Sequence, residues 1–186
     1  ARAHGAAYVG DQLVAEAELL LGLVRDRTEI HPTAIVHPRA SIGDGTTIGP
    51  HATVGPNVRI GANCRIGASA VVDGWTEIGD ETEIYPLASI GLIPQDLKFQ
   101  GEYSTVCIGD NTTIREYVTV NRGTKVREKT VIGKNCLIMA YCHLAHDCVV
   151  GDNCIMSNNT QVAGHVTIGD WSILGGMCAI HQFVNI

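Results

Sequence analysis

The sequence predicts an all-β fold, a left-handed parallel β-helix of hexapeptide repeats with a short N-terminal helical extension. Three observations carry this prediction. Of the 27 positions divisible by six from Ile30 to Ile186, 25 hold Ile, Val, Leu or Met, and only Asp96 and Glu102 break the series. The residue after the aliphatic one is often glycine, as at Gly43, Gly49, Gly55, Gly61, Gly67, Gly133 and Gly151, which suits a tight turn. The residue two before it is small, as at Ala34, Ala40, Thr46, Ala52, Ala70, Thr76 and Ala88. A period of six is no multiple of 3.6, so a helical solenoid fits poorly. Short strands joined by turns, three to a coil of about 18 residues, fit well, with coils about 4.8 Å apart.

Residues 1–29 lie outside the repeat. Their segment AEAELLLGLVRD has helix-forming composition and is expected to give a helix within 11–27 that caps the open edge of the first coil. Residues 30–186 form the β-helix. Its first run is unbroken from Ile30 to Ile90, and the polar stretch LIPQDLKFQGEYSTVC, residues 92–107, is expected to leave the prism as a loop. A second loop is expected at NRGTKVREK, residues 121–129, where Val126 keeps the phase but charge is dense. From Arg115 to Lys129 five basic residues stand against Glu116 and Glu128, a local surplus of positive charge. The series then runs unbroken from Ile132 to Ile186, where the chain stops in phase without a cap, so the natural protein is expected to continue.

The formal charge of −6 excludes a general electrostatic match to nucleic acid, and any anion site must be local. No window approaches the roughly 18 uninterrupted apolar residues of a membrane span, and no signal segment is visible, so a cytoplasmic location is expected. Seven cysteines make an odd number for a disulfide framework. Six of them, Cys64, Cys136, Cys142, Cys148, Cys154 and Cys178, occupy the small slot two before the aliphatic residue and are expected to be core filler. Spacing by six does not converge four thiolates on a zinc ion. Neither a metal nor another cofactor is expected.

The histidines sort differently. His143 precedes Leu144 and faces outward, while His146 and Asp147 follow into the turn. An 18-residue coil stacks His146 with Gly164 and Gln182, and Asp147 with His165 and Phe183, on one external corner. An exposed His beside an Asp is how a general base near neutral pH is built, since the carboxylate fixes the tautomer and supports the imidazolium. The glycine one coil on leaves a backbone N–H free for a developing oxyanion. No Ser or Cys nucleophile shares the corner, which favours direct attack by a bound hydroxyl over a covalent intermediate.

The segments HPTAIVHPRASIG (31–43), QDLK (95–98), IRE (114–116), RGT (122–124), HLAHDC (143–148), AGHV (163–166) and HQF (181–183) closely resemble the UDP-N-acetylglucosamine O-acyltransferases, in family order. The resemblance implies a homotrimer with active sites in grooves between subunits, moving an acyl chain from acyl carrier protein to the glucosamine 3-hydroxyl, the first step of lipid A synthesis. It makes His146 the general base, Asp147 the residue that orients it and Gly164 the oxyanion donor. Asp96, Lys98, His143, His165, His181 and Gln182 then hold the nucleotide sugar or line the acyl cleft. The basic loop after Arg115 is the candidate surface for the acidic carrier protein. Asn121 departs from the histidine usual before RGT, and the family's C-terminal helical domain is absent from the sequence. The alternatives are the related N-acyltransferase, disfavoured by QDLK, RGT and HQF together; a γ-class carbonic anhydrase, whose zinc histidines are spaced differently; and a trimeric scaffold without turnover.

Overall fold

The computed structural model describes residues 2–9, 12–20 and 27–186. From Glu29 onward the chain is a left-handed parallel β-helix with three sheets as the faces of a prism. The first face stacks Glu29–Ile30, Thr47–Ile48, Arg65–Ile66, Glu83–Ile84, Thr113–Ile114, Leu137–Ile138, Ile155–Met156 and Ile173–Leu174. The second stacks Ile35–Val36, Thr53–Val54, Val71–Val72, Ser89–Leu92, Thr119–Asn121, His143–Leu144, Gln161–Val162 and Ala179–Ile180. The third stacks Ser41–Ile42, Arg59–Ile60, Trp75–Ile78, Thr105–Ile108, Lys129–Ile132, Val149–Val150 and Thr167–Ile168.

Register explains how the repeat survives its two loops. Val71 pairs with Ser89 and Val149 with Thr167, one coil of 18 residues apart. Glu83 instead pairs with Thr113, and Thr119 with His143. The first loop, between Leu92 and Thr105, therefore adds two hexads, and the second, between Asn121 and Lys129, adds one. Both insertions are multiples of six, so the aliphatic phase resumes unshifted. Asp96 and Glu102 are the two phase positions the first loop carries out. Val126 is the one carried out by the second, and it is exposed, so its place in the aliphatic series is coincidental.

Inward residues pack as columns one coil apart. Ile66, Ile84, Ile114, Ile138 and Met156 are all buried. Burial stabilises each such side chain by about 1.5–3 kcal/mol. The small slot holds Thr or Cys whose polar atom is satisfied by a backbone carbonyl about one coil away. Thr46 Oγ1 donates to the Gly61 carbonyl (2.7 Å) and Cys148 Sγ to that of Ala163 (3.1 Å). Cys64, Cys136, Cys142, Cys148 and Cys154 are buried as expected. Cys178 departs from the expectation and is exposed, because its strand pairs on one side only. Burial foremost pushes the Cys136 and Cys148 thiols up to about 11, which makes them poor nucleophiles.

The N-terminal expectation is corrected where it can be compared. Arg2–Val9 and Gln12–Leu20 form an antiparallel hairpin instead of a capping helix, with a register shift at Ala7/Tyr8. The alternation of Ala15, Ala17 and Leu19 with Glu16 and Glu18 has period two, which a strand uses better than a helix. Of the span predicted to hold the helix, residue 11 and residues 21–26 lie outside the described residues.

Candidate active site

Most corners of the prism turn through a residue in the left-handed region, a slot often filled by Asn, as at Asn63, Asn111, Asn135 and Asn153. At the corner after the second face, Asp147 (φ 62°), His165 (φ 64°) and Phe183 (φ 66°) occupy this slot in successive coils. The Asp147 side chain is inaccessible to solvent and His146 is only 7% exposed. This corrects the expectation of an exposed pair: the loop after Asn121 folds over the corner.

That loop saturates the carboxylate. Asp147 Oδ1 accepts from the backbone N–H groups of Thr124 (2.9 Å) and Arg127 (3.2 Å). Oδ2 accepts from the Thr124 hydroxyl (2.6 Å) and from His146 Nδ1 (2.8 Å). The Asp147 N–H donates to Thr130 Oγ1 (2.9 Å), and Arg127 Nη1 donates to the Asp147 carbonyl (3.0 Å). Burial alone would push the Asp147 carboxyl up, but the Thr124 hydroxyl and His146 outweigh it and hold the group below its ordinary value. An ionised acceptor on Nδ1 fixes the tautomer of His146 and leaves Nε2 as the reactive nitrogen.

Gly164 lies against the imidazole. A Cβ there would stand 2.7 Å from His146 Cε1 and 2.8 Å from Nε2, so only glycine lets the ring rest on the backbone. The stacking is direct: His165 N–H donates to the His146 carbonyl (3.1 Å), and Phe183 N–H to that of Gly164 (3.4 Å). The His165 ring meets His146 edge-on at 5.0 Å and stacks on Phe183 at 4.8 Å. A cleft of about 390 Å³ opens here, lined by Gln95, Asp96, Leu97, Lys98, His146, His165, Gln182 and Phe183. Asp96, Lys98, His146, His165 and Gln182 thus converge on one space.

The other two expected binding residues sit apart from that cleft. His143 lies on the second face with Nδ1 2.7 Å from Thr119 Oγ1, and burial foremost, then the neighbouring His146, pulls its imidazole below the ordinary value. His181 is exposed, with Nδ1 3.2 Å from the Gln182 carbonyl oxygen. A larger groove of about 590 Å³ crosses the first coils over Ile30, Ile48, Ile66 and Ile84. Its Arg65 and Glu83 pair with each other at 3.5 Å, and it offers no imidazole held by a carboxylate, so the smaller cleft is the candidate site.

The basic stretch divides between structure and surface. Arg115 pairs with Glu116 (3.0 Å) and lies over Tyr85. Arg122 is buried with its guanidinium 5.1 Å from the Trp75 ring and 5.2 Å from that of Phe99, and its N–H donates to the Leu92 carbonyl. It therefore ties the two loops together and holds the segment bearing Asp96 and Lys98. Lys125, Arg127 and Lys129 remain exposed. The site residues that sequence reasoning passed over are Thr124, Arg127 and Thr130. Their signal was faint: Thr124 closes RGT, and Thr130 holds the small inward slot.

His146, Asp147 and His165 each place a ligand atom within 4.8 Å of the others. The donor set does not suit a metal, because each carboxylate oxygen already accepts two hydrogen bonds and His146 Nδ1 is committed to Asp147.

The stacked hexads and the carboxylate-held histidine on their corner place the protein in the hexapeptide-repeat class. A family model for the bacterial transferase hexapeptide matches residues 129–164, and one for the GMPPB C-terminal domain matches residues 30–90. The chain is 58% identical over 159 residues to the acyl-(acyl-carrier-protein)-UDP-N-acetylglucosamine O-acyltransferase of Gloeothece citriformis, covering 86% of this chain and 58% of that one. It is 48% identical over 160 residues to that of Verminephrobacter eiseniae, with 86% and 61% covered. Among solved structures, LpxA from Acinetobacter baumannii superposes with a TM-score of 0.83 at 47% identity, over 84% of this chain and 61% of that one. The UDP-N-acetylglucosamine acyltransferase from Campylobacter jejuni gives 0.81 at 44% identity, over 84% and 62%. The chain belongs to the UDP-N-acetylglucosamine O-acyltransferase family. It spans less than two thirds of the length of these relatives.

Proposed function

We propose that this chain carries the acyl-transfer centre of a UDP-N-acetylglucosamine O-acyltransferase that takes a (3-hydroxy)acyl group from acyl carrier protein, the first step of lipid A synthesis. The observation that carries the reading is the 2.8 Å contact of His146 Nδ1 with the buried Asp147 carboxylate, at the wall of a cleft shared with Asp96 and Lys98. His146 Nε2 removes the proton of the glucosamine 3-hydroxyl as its oxygen attacks the thioester carbonyl carbon. The C=O electron pair moves onto oxygen, which the Gly164 N–H receives as donor. Collapse of this intermediate breaks the C–S bond, and the carrier's thiolate takes the proton from the His146 imidazolium. Asp147 stays ionised throughout.

Asp96, Lys98, His165 and Gln182 hold the nucleotide sugar around the cleft, and His143 and His181 contact substrate from its margins. The assembly is a homotrimer acting in the cytoplasm, and no cofactor enters the step. Among the described residues no helix is long and apolar enough to cross a membrane. The test is product analysis by mass spectrometry after incubating the protein with UDP-N-acetylglucosamine and hydroxyacyl carrier proteins of several chain lengths. An alkali-labile O-acyl product supports the reading. Failure of every chain length, or acylation only of an amino-sugar acceptor, contradicts it.

A further inference from the structure

The Asp147 carboxylate presents its two oxygens to different partners. Oδ1 is held by two backbone N–H groups, which no side-chain replacement would alter directly. Oδ2 divides itself between the His146 imidazole and one side chain, the Thr124 hydroxyl. The direction of that hydroxyl is fixed. Thr124 Oγ1 accepts from the Val126 N–H (3.4 Å), and a carboxylate can only accept, so the hydroxyl hydrogen lies along the 2.6 Å contact to Oδ2. Thr124 is buried, and the contact is shielded from water.

From this arrangement we infer that Thr124 is a positioning residue that sets the strength of the general base, by withdrawing from Asp147 Oδ2 part of the charge that would otherwise support the His146 imidazolium. The inference rests on the reading of His146 as the base. Two donors on one oxygen share its electron density, so strengthening one weakens the other. With Thr124 in place, imidazolium formation is supported enough to accept a hydroxyl proton and restrained enough to return it to the leaving thiolate. The same hydroxyl, fixed in the loop, keeps the carboxylate from rotating away from the ring. Arg127 contributes from the same loop, through its N–H on Oδ1 and its guanidinium on the Asp147 carbonyl.

The other charged and titratable groups facing the pair come from separate elements. His165, from the next coil, places Nε2 3.8 Å from Asp147 Oδ2, His143 lies on the strand that leads into this turn, and Asp96 and Lys98 stand across the cleft. None of these is bonded to Thr124, so replacing Thr124 changes one contact on Oδ2 and leaves the surrounding charges in place.

The test compares Thr124→Val, which keeps the shape and loses the donor, with Thr124→Ser, which keeps the donor. The readouts are kcat and kcat/KM across pH, with His146→Ala in parallel. The expected result for Thr124→Val is a fall in kcat of about 10- to 100-fold with little change in KM, the scale set by small losses of alignment. The acidic limb of its pH profile moves to higher pH, because an unshared Oδ2 favours the imidazolium. Thr124→Ser restores both rate and limb. A lowered rate with an unmoved limb means a merely structural role and overturns the inference, as does a Thr124→Val enzyme with wild-type rate and profile. If Thr124→Val does not fold, Thr124→Ala is read the same way, and failure of both to fold while Thr124→Ser folds also overturns it. Should His146→Ala turn over at the wild-type rate, the general-base reading itself fails. If His146→Ala is inactive while Thr124→Val behaves as wild type, only this inference falls.

Discussion

Replacing Gly164 by alanine asks one methyl group to enter the space occupied by His146. The backbone of Gly164 is not in the left-handed region, so alanine is conformationally allowed and the fold should form. The added Cβ would stand 2.7 Å from Cε1 and 2.8 Å from Nε2 of the imidazole, where ordinary carbon contacts need about 3.5–4.0 Å. The ring must therefore retreat by about 1 Å, and displacement on that scale costs about 100-fold in rate. The 2.8 Å bond to Asp147 stretches with it, because the carboxylate is held by three other donors and cannot follow. The assay is steady-state acyl transfer beside a thermal melt, with Gly175→Ala as control, whose Cβ meets only Cys178 Sγ at an ordinary 3.7 Å. The expected outcome is a melting temperature close to wild type in both variants and a kcat collapse in Gly164→Ala alone. Wild-type kcat in a folded Gly164→Ala variant would refute the claim that the ring must rest on this backbone.

Burial foremost pulls the His143 and His165 imidazoles below their ordinary value, so the unfolded chain binds more protons just below about pH 6.5. Stability is then full above that pH and declines as pH falls toward the folded values, which melts between pH 7.5 and 5 will show. The depressed Asp147 carboxyl acts in the other window, contributing stability above about pH 4 and losing it only as pH falls further. Ile90→Ala removes a fully buried side chain from the second face and should cost about 2–5 kcal/mol, read as a lower denaturant midpoint. Arg122→Leu loses the guanidinium contacts to Trp75 and Phe99, each worth about 0.5–2 kcal/mol, and by freeing the loop should raise KM for the nucleotide sugar more than it lowers kcat. Iodoacetamide at pH 8 should label Cys178 in the folded protein and spare Cys136 and Cys148 until denaturant is added, which adduct masses will report.

The β-helix was legible because its period is local arithmetic: an aliphatic residue every six positions fixes which side chains point inward, and coil stacking follows. The columns of the site followed from the same arithmetic, since His146, Gly164 and Gln182 lie where no loop intervenes. The enclosure of the Asp147 carboxylate did not follow. It depends on a loop inserted one coil earlier, whose path is set by Arg122 between Trp75 and Phe99 and by the backbone donors of Thr124 and Arg127, contacts that no period encodes. For the same reason the sequence did not separate the buried Arg122 from the exposed Lys125, Arg127 and Lys129, nor show that the Arg127 guanidinium reaches the Asp147 carbonyl. The N-terminal segment misled through composition, because Ala, Glu and Leu favour a helix in isolation while their alternation equally serves a paired strand.

The most direct test of the account is the rate of acyl transfer by His146→Ala against wild type, with hydroxyacyl carrier protein and UDP-N-acetylglucosamine both saturating. Loss of a positioned general base should lower kcat by about 100- to 10,000-fold and abolish the acidic limb of the pH profile, with the melt unchanged. Equal turnover by the two proteins would show that His146 is not the base and that the buried pair serves some other end.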